Sequence, residues 1–235
     1  MTAPDTIKGG SAVPDTEIVL AQHGDAWTGS QNNAAARPGF RQGLSGDGAR
    51  QARLLAAALA RQSQQSGVFD ALYTCPSLYC LETATVISDA LGIPLSVVAA
   101  LRTPDAEMLT RTGALIPAPR RTEPADWWEA YAGRAGTFLT GVPQAHPGAR
   151  VLIVGHASTQ RAALTAFLRL PPRSGWWAAP LEHGAICRWT HTSDSEDLAG
   201  CWALTAHNDV EHLHQPDVRP VVPQLADIRR QRGGS

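Results

Sequence analysis

Glu17-Ile-Val-Leu-Ala-Gln-His-Gly-Asp25 decides the fold. Ile18 to Ala21 is an uninterrupted apolar run, short enough for a strand buried on both faces. It delivers His23 onto Gly24, so an imidazole stands where the strand ends, on a backbone that a ligand can approach closely. In open α/β sheets that carboxyl edge is where ligands bind. Val151-Leu-Ile-Val-Gly-His156 repeats the design with a second histidine. Two strands that each end in a histidine predict one pocket with two imidazoles facing each other.

Outward from these two stretches the chain alternates strand and helix. Gly43 ends a Gly-, Asn- and Arg-rich loop that starts at Ala26, and Leu44 to Gly48 opens a helix running to about Gln62. Its apolar face carries Ala52, Leu55, Ala56 and Leu59 at helical spacing. Ala71 to Cys75 reads as a strand, and Pro76 suits the start of a helix that ends at Leu91, with Gly92 as its cap. Leu95 to Leu101 reads as a third strand. A helix starts at Asp126-Trp-Trp-Glu129 and ends near Leu139 to Val142. Val151 to Val154 is followed by a helix through Phe167, stopped by Pro171-Pro172. Ala185 to His191 and Cys201 to Ala206 read as an antiparallel pair joined by a polar loop. This order predicts a three-layer α/β/α fold, with a mostly parallel central sheet and helices on both faces. Residues 17–214 are expected to form a single domain with a lid insertion at about 102–124. Residues 1–16 and 215–235 are expected to be a flexible N-terminus and a C-terminal tail.

Composition narrows the function classes. The chain has 235 residues, 43% of them hydrophobic, and a net charge of −1. That balance provides no basic field for nucleic acid or an anionic membrane. The N-terminus lacks a basic start and an apolar core, so it does not read as a signal peptide. Cys75, Cys80, Cys187 and Cys201 form no CxxC pair and have no histidines at zinc-finger spacing. They read as reduced, mostly buried thiols of a cytoplasmic protein. No metal site and no cofactor is expected. His183 is the most functional of the later histidines, because Glu182-His-Gly184 opens a strand at a loop. His207, His212 and His214 read as surface or strand-end residues.

Several motifs in register resemble those of the histidine phosphatase, or phosphoglycerate mutase-like, superfamily. Leu20-Ala-Gln-His-Gly24 is similar to its Arg-His-Gly signature. Tyr73-Thr-Cys-Pro-Ser-Leu-Tyr-Cys-Leu-Glu-Thr-Ala84 is similar to its Ser-Pro-x-x-Arg-x-x-Gln-Thr-Ala turn. Val151 to Ser158 resembles its second histidine segment, and Trp202 to Asp209 its closing strand. The wording is closest to the branch of two-histidine tyrosine phosphatases. The resemblance implies that the first histidine attacks phosphorus. It also implies that the second histidine and several arginines hold the phosphoryl oxygens, and that a carboxylic acid protonates the leaving group.

Both histidines match, as His23 and His156, and the charges around them do not. The signature arginine is Gln22, the arginine two residues after Gly24 is Ala26, and that of the second motif is Tyr79. The acid position reads Thr103. Losing one transition-state donor typically costs ~3–4 kcal/mol, and arginine–phosphate pairs are the strong bidentate kind. Unless Arg37, Arg41 or Arg102 folds in, ordinary phosphomonoester hydrolysis is disfavoured. Imidazoles titrate near ~6.5, so two of them can serve as base and acid at neutral pH.

The sequence therefore predicts a repurposed enzyme of this fold. It would do cofactor-free acid–base chemistry on a small, non-phosphorylated and partly aromatic metabolite, by isomerisation, cyclisation, elimination or hydrolysis. His23, His156, Tyr79 and Asp25 are the expected catalytic residues, with Asp25 orienting His23. Gln22, Gly24, Trp27, Thr103, Asp105, Glu107 and His183 are the expected substrate contacts. A phosphatase with relocated arginines and an inactive binding protein are the two alternatives. The expected partner is a small molecule, and a homodimer is left open.

Overall fold

The computed structural model describes residues 14–26, 43–103, 127–171, 181–193 and 200–215. The expected contacts Trp27, Asp105 and Glu107, the arginines Arg37 and Arg41, and almost all of the lid stretch lie outside the described residues.

Six strands form one sheet in the order β3-β2-β4-β1-β5-β6. These are β1 Thr16–Gln22, β2 Ala71–Thr74, β3 Leu95–Val97, β4 Arg150–Gly155, β5 Ile186–Thr192 and β6 Cys201–Asp209. The first four pair in parallel, while β5 runs antiparallel to both β1 and β6. Helices α1 Gly46–Ser66, α2 Leu78–Leu91, α3 Trp127–Ala145 and α4 Ala157–Phe167 connect them. From β1 the chain steps through β2 to β3 at one edge, then turns back to β4 and β5. Right-handed crossovers place the helices of the outward steps on one face and those of the return on the other. Accordingly α1 packs on α2, and α3 packs on α4. This is the expected three-layer α/β/α architecture.

The core follows from the apolar runs. Ile18, Val19, Val151, Leu152, Ile153 and Val154 are fully buried, because β1 and β4 are central strands covered on both faces. Leu55 and Leu59 of α1 and Tyr131 and Leu139 of α3 fill the two outer layers. The caps are local. Ser45 Oγ accepts the Gly48 amide at 3.0 Å to start α1. Gly92, at φ 66°, closes α2 in the left-handed conformation.

Several expected boundaries change: α1 continues past Gln62 to Ser66, and β6 past Ala206 to Asp209. The stretch from Leu95 to Leu101 is a strand only to Val97, and Ala99–Leu101 is a 3-10 turn. As the edge strand, β3 has a partner on one side only, and Val97 is exposed while Leu101 is buried. Helix α3 runs past Leu139 and Val142 and through Pro143 to Ala145. Pro143 forfeits one amide bond there, but it is buried in the last turn and packing retains it. Among the described residues no helix is long and apolar enough to cross a membrane.

Candidate active site

Strand register brings the two histidines together. β1 and β4 pair in parallel, and their last matched residues are Gln22 and Gly155. His23 and His156 come next, one on each of two neighbouring strands that lie about 4.8 Å apart. Their ring centroids are 5.2 Å apart, edge to face. A glycine flanks each histidine where there is no room for a side chain, Gly24 after His23 and Gly155 before His156. A Cβ on Gly24 would stand 2.4 Å from the Gly48 carbonyl oxygen, and one on Gly155 would stand 2.5 Å from Thr159 Oγ1.

His23 is held on every side. Its amide donates to the Gly155 carbonyl at 3.1 Å, and its carbonyl accepts the Gly184 amide at 3.0 Å. Its Nδ1 lies 2.7 Å from the Gly24 carbonyl oxygen. A carbonyl only accepts, so Nδ1 carries the proton and Nε2 keeps its lone pair. Burial, then repulsion from His156, push the His23 pKa from 6.5 down to about 3. His23 is therefore not the group titrating near neutrality that the sequence suggested. His23 is a neutral, weakly basic ring throughout the physiological range.

Tyr79, in the first turn of α2, places its ring 4.4 Å from that of His23 and 5.4 Å from that of His156. This is the position where the resembled motif carries arginine. Its helix is tied to the first signature, because the Gly24 amide donates to Thr83 Oγ1 and Thr83 Oγ1 donates to the Tyr79 carbonyl. His183 completes a ring cluster at 5.2 Å from His23. Asp25 sits against His183, Oδ1 to Nδ1 at 3.5 Å, and accepts from Ser45 Oγ at 2.6 Å. It positions His183 and the start of α1, while the Gly24 carbonyl, not Asp25, orients His23. His212 differs from its surface reading: it is buried and its Nε2 lies 3.0 Å from the Gly184 carbonyl oxygen, behind His183.

Gln22 is buried and lines a small cavity with Gly155, His156, Thr159 and Gln160. Among the described residues Gln22 Oε1 has no hydrogen-bond partner. Thr103 is buried just past the 3-10 turn that follows β3. Several described arginines are engaged away from the two histidines. Arg150 and Arg188 pair with Glu17 at the opposite end of β1, Arg61 bonds Gln215, Arg134 bonds the Arg102 carbonyl, and Arg161 lies over Trp128. Arg102 itself is exposed.

The structure adds residues the sequence reading set aside as core thiols. Cys75 Sγ lies 3.1 Å from His156 Nε2, Ser77 Oγ lies 3.3 Å from it, and Cys80 Sγ lies 3.7 Å from it. A hydrogen bond from the Cys80 thiol holds the Cys75 thiol well below the usual range, and burial pushes Cys80 up. The sequence signal was slight, a strand from Ala71 that ends in Cys75 as the other two end in histidine; the pairing of Thr74 with Val154 then sets Cys75 beside Gly155 and His156. Cys187 is also buried, whereas Cys201 is exposed.

The family profile of the histidine phosphatase superfamily, branch 1, matches residues 18–202. No curated protein matches the chain. Solved structures share its fold. A mycobacterial glucosyl-3-phosphoglycerate phosphatase is similar with a TM-score of 0.61 and 18% identity, over 83% of this chain and 99% of that one. Phosphoserine phosphatase from Entamoeba histolytica, in complex with 3-phosphoglyceric acid, is similar with a TM-score of 0.57 and 16% identity, over 84% and 99%. YhfR from Bacillus stearothermophilus is similar with a TM-score of 0.58 and 21% identity, over 84% and 99%.

Proposed function

Starting from a chain that belongs to the histidine phosphatase superfamily, we propose that its His23–His156 pair performs cofactor-free acid–base chemistry on a small, non-phosphorylated molecule. The observation that carries this is the Tyr79 ring 4.4 Å from His23, where the family motif has a guanidinium. A phenol ring offers area and one hydroxyl, which suit a neutral, partly apolar guest better than a phosphate dianion.

His23 Nε2 takes the proton. With a pKa of about 3, it is a weak base toward a substrate that stays neutral. The same geometry changes that once negative charge develops on the substrate. An oxyanion between the two rings favours the imidazolium form of each, and the low dielectric of the site strengthens the pairing. Reactions that pass through an enolate or alkoxide, such as isomerisation, cyclisation or elimination beside a carbonyl, therefore fit best. His156 donates to the oxygen, and Tyr79 and His183 close the sides.

Deuterium exchange tests this without knowing the substrate. A small-molecule extract incubated with the protein in heavy water should gain label at carbon in at least one compound. His23→Asn and His156→Gln should each slow that labelling by about a thousandfold. Labelling that survives both substitutions would defeat the reading.

One observation favours a second reading. A histidine whose Nδ1 proton is tied to a carbonyl presents Nε2 as a nucleophile, as a phosphohistidine mechanism needs. Arginines 37 and 41 would then have to supply the missing charge. That reading predicts turnover of an aryl phosphate and thermal stabilisation by vanadate, about 2.7 kcal/mol at a hundred times its Kd. The acid–base reading predicts neither for the wild-type chain. It predicts that Tyr79→Arg, by returning a guanidinium to the rings, makes vanadate raise the melting temperature.

A further inference from the structure

We propose that Cys75, Cys80 and His156 form a binding site for a zinc-class divalent cation, directly behind the imidazole pair. The three ligand atoms all lie within 4.8 Å of one another. They come from three rigid elements: the end of β2, the first turn of α2, and the residue that opens α4. The backbone of His156 is itself braced, with its amide donating to Thr159 Oγ1 and Tyr131 hydrogen-bonded to that same hydroxyl.

Cys80 donates to Cys75, so a hydrogen bond joins the two thiols, but the three groups around His156 Nε2 cannot all use it at once. An imidazole nitrogen has one in-plane lone pair or one proton, so Nε2 makes one good hydrogen bond. Cys75 Sγ, Ser77 Oγ and Cys80 Sγ nevertheless converge on it at 3.1, 3.3 and 3.7 Å. A cation at their centre satisfies all of them at once. In a tetrahedral site with Zn–S near 2.3 Å and Zn–N near 2.05 Å, neighbouring sulfur and nitrogen ligands stand about 3.6 Å apart. Cys80 already meets that spacing, and Cys75 needs to withdraw by about half an ångström. Two thiolates and one imidazole make a borderline-soft donor set that favours zinc over magnesium or calcium. The fourth position is left to Ser77 Oγ or a water. Binding forms two metal–sulfur bonds and releases to solvent whatever thiol protons the pair still holds. While the cation is bound, His156 Nε2 is a metal ligand and can neither give nor take a proton, so occupancy switches off proton transfer through that ring.

Cobalt substitution tests the site without any substrate. The reduced full-length protein, stripped with a chelator, is titrated with Co(II). The expected result is the intense near-ultraviolet thiolate-to-cobalt band, with the visible bands of a four-coordinate ion. It should saturate at one cobalt per chain and be bleached by zinc. A Cys75→Ser/Cys80→Ser variant should lose the thiolate band, and His156→Gln should weaken binding by at least about tenfold. If a variant fails to fold, X-ray absorption on the zinc-loaded wild-type protein decides, with two sulfurs expected in the first shell. A cobalt spectrum without thiolate character, a zinc shell of nitrogen and oxygen only, or a thiolate band that survives the double substitution would overturn the proposal. Those outcomes leave the deuterium-exchange result untouched, so the cation site and the acid–base reading fail separately.

Discussion

Between pH 6.5 and about 3 the wild-type protein is expected to lose on the order of 4 kcal/mol of stability that a His23→Asn variant does not lose. The sign follows from where protons bind. In the unfolded chain the imidazole takes up a proton as the pH falls through its ordinary value. In the folded chain burial and the neighbouring His156 delay that uptake until about 3. Across the window the unfolded state binds more protons, so stability is complete above 6.5 and drains away as the pH falls. Asparagine is the useful replacement, because its amide can still donate to the Gly24 carbonyl while carrying no titratable nitrogen. Urea midpoints measured at a series of pH values for both proteins isolate the effect, since carboxylates shared by the two cancel in the difference. Curves that run parallel from neutrality down to the acid limb would show that His23 is not buried as described.

The second large effect is steric. Gly48→Ala should destabilise the protein by about 3 kcal/mol or more, which in a chain of this size lowers the melting temperature by roughly 6–12 °C. A Cβ at Gly48 would stand 1.8 Å from the Asp25 carbonyl oxygen and 2.8 Å from its carbon. That is backbone against backbone, with no side chain able to swing aside. The same carbonyl accepts the Ser45 amide at 2.9 Å, so it cannot retreat without releasing the start of α1. Gly46→Ala, two residues earlier in the same helical turn, is the control, because nothing lies within 4 Å of its added Cβ. It should be neutral or slightly stabilising, by about 0.4–1 kcal/mol through the unfolded state. If the two variants melt alike, the close approach of the first loop to α1 is wrong. The Gly48 variant should also lose deuterium exchange, because Gly24, Asp25 and His183 all hang from that contact.

The fold was legible because its signals are local. Apolar runs such as Ile18 to Ala21 and Val151 to Val154 are too short for helices and too uniform for half-exposed strands. The stops at Gly92 and Pro171 punctuate what lies between them. The same reasoning overran at Leu95 to Leu101, since an apolar run does not say whether its strand is central or at an edge, and β3 has a partner on one side only. It fell short at Pro143, where burial outweighs the missing amide bond.

The histidine pair was legible in part, because two parallel strands ending alike put both imidazoles at one edge of the sheet, whereas the strand order made β1 and β4 neighbours. Family membership and the replacement of arginine by Gln22 and Tyr79 are likewise properties of residue order alone. The state of the site belongs to the tertiary structure. Desolvation and a second imidazole at 5.2 Å make His23 a neutral ring of low basicity, and neither can be read along the chain. Asp25 lies against His183, while the Gly24 carbonyl holds the His23 proton. Cys75 and Cys80 gather on His156 across a separation of some 80 residues in sequence. Identity and order travel along the chain, whereas proton affinity and ligand geometry depend on distance and exclusion of water, which exist only once the sheet has closed.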